Sequence, residues 1–163
     1  MTQILRVAAY TGFVLALSIV PVHALQTIQR VSLEEAQGLL QTSIAKAQEM
    51  GVRACIAVVD EQGNLVAFSR MDGARFMSID IALHKAISSA NFGVPSGPRP
   101  SAENPNVVLS LGIAATTGGK FLPVEGGVPV LIDGKVVGAV GVSGGTPAQD
   151  KQIAEAGLKA PKP

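Results

Sequence analysis

An Asp-Gly pair between two short apolar runs is the feature that most constrains the fold of this chain. Residues 128–132 and 135–142 are rich in valine and other strand-forming residues, and Asp133-Gly134 stands between them. A two-residue turn between strands requires positive φ at both central positions, which an Asp-Gly pair adopts readily. The sequence therefore predicts an antiparallel hairpin over 128–142.

A second hairpin is indicated earlier in the chain. Residues 55–59 and 65–68 are apolar and rich in strand formers, and the segment between them, 60–64, includes a glycine and an asparagine. Because both predicted strand pairs are hairpins and not βαβ crossovers, we expect an antiparallel sheet. A third apolar run, 107–113, is too short for its periodicity to decide between a strand and a helix.

Amphipathic segments surround the predicted hairpins. The first helix is expected to begin after Ser32, where Glu35 completes a capping box, and to end at Gly51. Apolar residues also recur at helical spacing over 78–92 and over 148–158. The order of helix, hairpin, helix, loop, hairpin and helix predicts an α+β fold in which the helices pack on the antiparallel sheet.

Composition excludes several classes of protein. The chain has 163 residues, with 13 lysines and arginines against 12 acidic residues, a balance too even for a protein held to nucleic acid by its charge. Its single cysteine excludes a disulfide framework within the chain and a multi-cysteine zinc site. We therefore expect its partners to be apolar molecules or further copies of the same chain.

The first 24 residues have the features of a secretory signal peptide. Arg6 supplies the positive charge, an apolar stretch follows over 7–20, and a small residue, Ala24, precedes the expected cleavage point. The polar residues and the proline in this segment favour a signal peptide over a membrane anchor. We expect 25–163 to form one domain that is periplasmic or secreted and has no membrane span after cleavage.

The second predicted helix carries the most suggestive polar residues. Asp80, His84 and Ser88 are spaced i, i+4, i+8 and so share one line along the helix. Loss of 1–24 would leave His84 as the one histidine of the chain. The line is either a solvated helix face with an Asp–His pair or the edge of a ligand site. It is not a catalytic triad, because the three side chains point the same way.

Two further features bear on ligand binding. Gly126-Gly127 lacks the partner residues of a phosphate-binding or dinucleotide-binding loop. The pair therefore either allows a close contact between backbone segments or allows a flat ligand to lie against the backbone. Arg75 lies between Met71 and Met77. An arginine among methionines suits a carboxylated macrocycle, although methionines also fill gaps in cores.

Several segments together resemble the GlcG/HbpS-like family, also known as the haem-degrading HbpS-like family. The matching stretches include Ala57-Val58-Val59-Asp60, Arg70-Met71-Asp72-Gly73-Ala74, Ser78-Ile79-Asp80-Ile81-Ala82, Gly126-Gly127-Val128-Pro129 and Gly138-Ala139-Val140-Gly141-Val142-Ser143-Gly144. The resemblance implies a profilin-like α+β domain that forms homo-oligomers. The members of the family include secreted haem-binding proteins, the accessory domain of a corrinoid adenosyltransferase and a product of glycolate operons. One departure is Ser88, which replaces a threonine common in the family.

The resemblance and the composition together predict an exported, oligomeric protein that binds haem non-covalently and handles or senses haem or iron. Haem is expected against the second helix and the segment 126–129. His84 would ligate the iron, and Arg75 and Lys85 would pair with the propionates. The residues expected to contact haem are Arg75, His84, Lys85, Ser88, Gly126, Gly127 and Pro129.

The alternative is a protein of a catabolic operon that acts on a small molecule or binds a corrinoid. In that case Asp80, His84 or Lys85 would transfer a proton. Binding is favoured over catalysis because no residue pattern marks a catalytic site, although the resemblance also implies haem degradation.

Overall fold

The structure is a computed structural model that describes residues 28–160, so the predicted signal peptide lies outside the described residues. Four helices and four strands follow one another along this part of the chain. Their order is α1 (Leu33–Glu49), β1 (Cys55–Asp60), β2 (Leu65–Arg70), α2 (Ser78–Phe92), α3 (Val107–Thr116), β3 (Gly127–Ile132), β4 (Lys135–Ser143) and α4 (Pro147–Gly157).

The strands form one antiparallel sheet in the order β2-β1-β4-β3. Both predicted hairpins are confirmed, and the turn of the second has positive φ at Asp133 and Gly134. The two hairpins join through β1 and β4, with Cys55 opposite Ser143 and Asp60 opposite Gly138. The α+β class and the antiparallel sheet are therefore confirmed, while the pairing of β1 with β4 is a contact that no local pattern predicted.

Capping residues set the ends of the outer helices. The predicted capping box of α1 is present, because the Glu35 amide donates to Ser32 Oγ and the Ser32 amide donates to the Glu35 carboxylate. A matching box at Thr146 and Gln149 opens α4 one residue before the predicted start. Both helices thus begin where their side chains satisfy the free backbone amides.

The two faces of the sheet differ in the size of their side chains. The face that packs against α1 and α4 carries Ile56, Val58, Val140 and Val142. The opposite face, which packs against α2, presents cysteine, alanine, valine and glycine, and α2 meets it with small residues of its own. The buried apolar residues of this second core are Cys55, Ala57, Val59, Ala74, Ala82, Ala86, Ala90 and Ala139.

Two glycines on the face toward α2 allow the helix to lie against the sheet at backbone distance. A Cβ on Gly141 would collide with the Ala82 carbonyl oxygen and lie 2.5 Å from the Ala86 nitrogen. A Cβ on Gly127 would collide with the Lys85 carbonyl oxygen. The position of α2 over β3 and β4 therefore depends on the absence of side chains at these two residues.

The ambiguous run 107–113 is part of a helix, α3, that stands apart from the sheet. The Asn106 side chain caps it by accepting a hydrogen bond from the Leu109 amide. Ser110 is its one buried residue, whereas Val108 is 83% exposed and Leu111 is 60% exposed. Among the helices of residues 28–160, none is long and apolar enough to cross a membrane.

Replacing Gly141 by alanine tests the backbone contact between α2 and β4. We expect Gly141→Ala to lower the free energy of unfolding by about 1–3 kcal/mol, because the new methyl group has no space beneath α2. Gly38→Ala is the matched control: Gly38 lies inside α1, and the nearest atom to an added Cβ is Ala160 Cβ at 3.9 Å, an ordinary contact. That change should be neutral or stabilise by up to about 1 kcal/mol. Urea unfolding of both variants measures the difference, and equal stability of the two would contradict the packing described here.

Candidate functional site

An apolar cavity of about 510 Å³ lies where α2 and α4 both begin. Its volume falls within the range of about 300–1,000 Å³ that is usual for small-molecule sites. The residues that line it are Arg75, Phe76, Met77, Ser78, Ile81, Lys85, Val124, Ser143, Gly144, Gly145, Pro147 and Asp150. We refer to this space as the α2–α4 cavity.

A buried ion pair closes the inner end of the α2–α4 cavity. Lys85 Nζ lies 2.7 Å from Asp150 Oδ2, and both side chains are almost completely buried. Lys85 Nζ also donates to the Val142 carbonyl oxygen at 2.9 Å, and Asp150 Oδ1 accepts from the Gly145 amide at 2.8 Å. The pair therefore ties α2 to β4 and to the first turn of α4, so we assign it a structural role at this site.

The rim of the cavity is apolar with one cation. Phe76 and Met77 are 74% and 62% exposed, which is unusual for such large apolar side chains. Arg75 is exposed, and its guanidinium lies 3.5 Å from the Gly144 carbonyl oxygen. This combination suits a ligand with a large apolar body and an anionic group at its edge.

A second cavity, of about 470 Å³, adjoins the first and has a polar lining. The two share Arg75, Gly144 and Gly145. The complete lining of the second is Met50, Gly51, Val52, Arg53, Gly73, Arg75, Gly144, Gly145 and Gln149. We refer to it as the arginine cavity, because Arg53 and Arg75 are the charged residues of its lining.

The structure places His84 on α2 beyond the α2–α4 cavity. Its side chain is half-buried and lines neither of the two cavities. Met77, which does line the α2–α4 cavity, precedes His84 by seven residues and so shares a line of the helix with it. Asp80 is exposed, and no hydrogen bond joins it to His84 within the described chain.

Ser88 is committed to a structural contact. Its hydroxyl donates to the His84 carbonyl oxygen at 2.7 Å and accepts from the Leu122 amide at 2.8 Å. Only 1% of Ser88 is exposed. The residue thus anchors the segment before β3 to α2, and both of its hydrogen bonds are made within the protein.

The segment 126–129 is covered by the protein itself. A Cβ on Gly126 would lie 2.7 Å from Lys85 Nζ, and Gly127 lies directly beneath the Lys85 carbonyl group. Pro129 is buried and lines a different cavity, of about 300 Å³, together with Val31 and Leu39 of the other side of the sheet. The structure therefore leaves no space for a flat ligand between α2 and this segment.

Of the residues expected to contact haem, the structure brings only Arg75 and Lys85 into one cavity. Lys85 is there as part of the buried ion pair and not as a free cation at the rim, because its ammonium already donates to Asp150 and Val142. The same geometry separates the proposed proton-transfer residues, since Lys85 points into the protein while Asp80 is exposed.

Sequence reasoning missed three residues of the site: Arg53, Phe76 and Asp150. One signal was available for Asp150, because Lys85 falls between the buried alanines Ala82 and Ala86 on α2. A lysine on a buried helix face requires a carboxylate partner. No sequence pattern near Arg53 or Phe76 predicts that they belong to the site, because their proximity depends on how α2 and β1 pack together.

Two further kinds of site, a metal centre and a reactive thiol, depend on the histidine, cysteine and carboxylate side chains of residues 28–160. Within residues 28–160 no group of three or more histidine, cysteine, aspartate or glutamate side chains is placed to hold a metal ion. Cys55 is fully buried in β1, and this burial raises the pKa of its thiol. A buried thiol of raised pKa is a core residue and not a reactive one.

Comparison with known proteins gives a consistent family. The family model described as "Haem degrading protein HbpS-like" matches residues 31–159. A 15.0 kDa protein of Citrobacter freundii, from the dhaT-dhaS intergenic region, is 38% identical over 133 residues, covering 82% of this chain and 93% of the relative. The corrinoid adenosyltransferase PduO of Citrobacter freundii is 29% identical over 130 residues, which are 80% of this chain but 38% of that protein.

Solved structures share the fold. A double mutant of HbpS from Streptomyces reticuli superposes with a TM-score of 0.72 at 29% identity, covering 85% of this chain and 94% of that one. The PduOC:heme complex superposes with a TM-score of 0.68 at 24% identity, covering 79% of this chain and 93% of that one. At 24% identity, the match to the PduOC:heme complex shows only that the two proteins share a fold.

Removing one partner of the buried ion pair tests its structural assignment. We expect Lys85→Met to lower the free energy of unfolding by about 3–5 kcal/mol, because Asp150 is left as a buried, uncompensated charge. The double variant Lys85→Met, Asp150→Leu should recover much of that loss. Lys46→Met is the control, since Lys46 pairs with the exposed Glu49 and such surface pairs contribute about 0–1 kcal/mol.

Urea unfolding measures all three variants. A Lys85→Met protein as stable as the control would mean that the ammonium is not held by Asp150, and the lysine would then be available to a ligand or a proton.

Proposed function

Because the chain belongs to the family of haem-degrading HbpS-like proteins, we propose that it binds haem non-covalently in the α2–α4 cavity. The observation that carries the proposal is the chemistry of that cavity: Phe76, Met77 and Ile81 form an apolar wall, and Arg75 stands at its edge. Haem is a flat apolar macrocycle with two carboxylates on one edge, so its two parts match the two parts of the site. The description of the matching family, a haem-degrading protein, supports the same ligand class.

His84 is the residue that we propose as the iron ligand. Histidine is a common protein ligand of haem iron, and His84 is the one histidine outside the predicted signal peptide. From Met77 to His84 the helix rises about 10 Å. A macrocycle that lies on Met77 and Ile81 would extend along α2 toward the imidazole. The bound group would supply the iron chemistry, while the chain holds and orients it.

We further propose that the protein is exported and loses residues 1–24. The support is the sequence of that segment, in which Arg6, the apolar stretch and Ala24 have the order of a signal peptide. The intact mass of the chain recovered from its host tests this: export predicts the mass of 25–163, and retention of the full mass would contradict it.

We propose that α3 joins copies of the chain into a homo-oligomer. No charged residue occurs from 104 to 119, and no other element packs extensively on α3 within the described residues. The large exposed side chains of the helix are Val107, Val108, Leu109 and Leu111. An exposed apolar helix is stabilised when another apolar surface covers it, and α3 of a second copy supplies such a surface without bringing a charge into the contact.

The alternative of a proton-transferring enzyme has less support, because Asp80, His84 and Lys85 do not converge on one cavity. A corrinoid remains the competing ligand, since the relative PduO is named as a corrinoid adenosyltransferase. The binding experiment below therefore includes cobalamin as a second ligand.

Titration of the apo-protein with haemin tests the proposed function. We expect a Soret shift that saturates at micromolar haemin, and no comparable change with cobalamin. His84→Ala should alter the Soret position and weaken binding, because the iron loses its nitrogen ligand. Gln48→Ala, on the exposed face of α1, is the control and should leave both unchanged.

The outcomes separate the parts of the proposal. Absence of a shift with wild-type protein would contradict haem binding. An unchanged spectrum of His84→Ala would contradict the ligand assignment alone. Bleaching of the Soret band that requires both dioxygen and an added reductant, and that is faster than for free haemin, would show that the protein also degrades haem.

Light scattering of two charge variants tests the oligomer. We expect Leu111→Glu to lower the molar mass of the assembly, because it places a carboxylate in an apolar interface. Gln48→Glu adds the same charge to exposed α1 and should keep the wild-type mass. A monomeric wild type, or a Leu111→Glu protein of wild-type mass, would exclude α3 as the interface.

A further inference from the structure

We propose that Arg53 is a second carboxylate anchor, which acts with Arg75 to hold the two acidic groups of one ligand in the arginine cavity. The inference rests on the proposed function, because it takes the apolar body of that ligand to lie in the α2–α4 cavity. It adds a residue, Arg53, and a separate space for the carboxylates, the arginine cavity, which the haem proposal by itself does not contain.

The first support is the charge of the arginine cavity. Its lining contains two arginines and no aspartate or glutamate. Within residues 28–160, every ion pair of a lysine or arginine involves other residues, so neither Arg53 nor Arg75 has a carboxylate partner there. A cavity with two guanidinium groups and no counter-charge of its own attracts an anion.

The second support is the way in which Arg53 is held. Arg53 lies two residues before the buried start of β1, and its side chain passes over the backbone of Gly73. A Cβ on Gly73 would lie 2.9 Å from Arg53 Cδ and 3.0 Å from its Nη1. Gly73 also has φ +78°, a conformation that other residues rarely adopt. The turn thus leaves a backbone surface on which the Arg53 side chain rests at the wall of the cavity.

The third support is that the two cavities meet at residues without side chains. Gly144 and Gly145 line both cavities, and Arg75 stands beside them. A Cβ on Gly144 would lie 2.5 Å from the Arg53 carbonyl oxygen, so this wall is formed by closely packed backbone. The α2–α4 cavity and the arginine cavity therefore adjoin at Gly144 and Gly145.

These observations define the class of ligand. Its body is apolar and large enough to cover Phe76 and Met77, and its carboxylates project from one edge across the border at Gly144. Guanidinium groups bind carboxylates through paired hydrogen bonds, so two arginines accommodate two carboxylates better than one. The propionates of haem have this arrangement, whereas a neutral macrocycle does not.

Titration with haemin and with haemin dimethyl ester tests the role of Arg53. We expect Arg53→Met to weaken haemin binding about tenfold, because a charge-assisted contact to one propionate is lost. Binding of the ester, which has no free carboxylate, should be the same for Arg53→Met and wild type. Arg53→Lys should recover part of the affinity for haemin, since it keeps the charge but not the paired hydrogen bonds.

Arg30→Met is the matched control, because Arg30 is also exposed and its guanidinium pairs with Glu61 away from both cavities. This variant should bind haemin as the wild type does. Unfolding midpoints of all variants establish that each is folded.

The possible failures are distinguishable. If wild type binds haemin and Arg53→Met binds it equally well, the role of Arg53 is wrong and the proposed function stands. If Arg53→Met weakens haemin and ester by the same factor, Arg53 acts through packing and the inference is again wrong. If wild type binds neither compound, the proposed function fails and the inference fails with it.

Discussion

The backbone of α2 packs directly against glycines of β3 and β4, and this contact fixes the positions of the helix, the buried ion pair and the cavity beside them. At Gly127 and Gly141 the backbone of α2 lies so close to the sheet that a Cβ would not fit between them. The buried face of α2 therefore consists mainly of alanines and serines. Lys85 enters this face only because Asp150 and the Val142 carbonyl group receive its ammonium. A side chain added at either glycine would move the helix, the ion pair and the cavity beside them together.

This close packing also decides where a ligand can lie. The middle of α2 offers no gap above the sheet, so a flat molecule cannot enter between them. Space for the proposed ligand opens at the start of the helix, where the turn that carries Arg75 and Phe76 leads into α2 and where α4 also begins. The buried ion pair forms the inner boundary of that space and the exposed aromatic and thioether side chains form its rim. Cavity-lining and core residues therefore alternate along one helix, with Ile81 facing the cavity and Ala82 facing the sheet.

Local patterns predicted the elements well, because capping boxes and turn residues act within a few positions of one another. Ser32 with Glu35 and Asp133 with Gly134 are examples in which the sequence and the structure agree. The site was harder, since Lys85 and Asp150 are 65 positions apart and meet only when α2 and α4 reach the same end of the sheet. Gly126 and Gly127 show the same limit of local patterns. A pair of glycines fits a contact with a ligand and a contact with a helix equally well, and only the packing of α2 distinguishes the two.

The proposed haem site is tested by the position of the iron in crystals of the haem-loaded protein, located by its anomalous scattering. Haem in the α2–α4 cavity predicts an iron peak on the outer side of α2, between Met77 and His84, with density for the propionates toward Arg53 and Arg75. An iron peak on the opposite side of the sheet, in the cavity lined by Val31, Leu39 and Pro129, would contradict it.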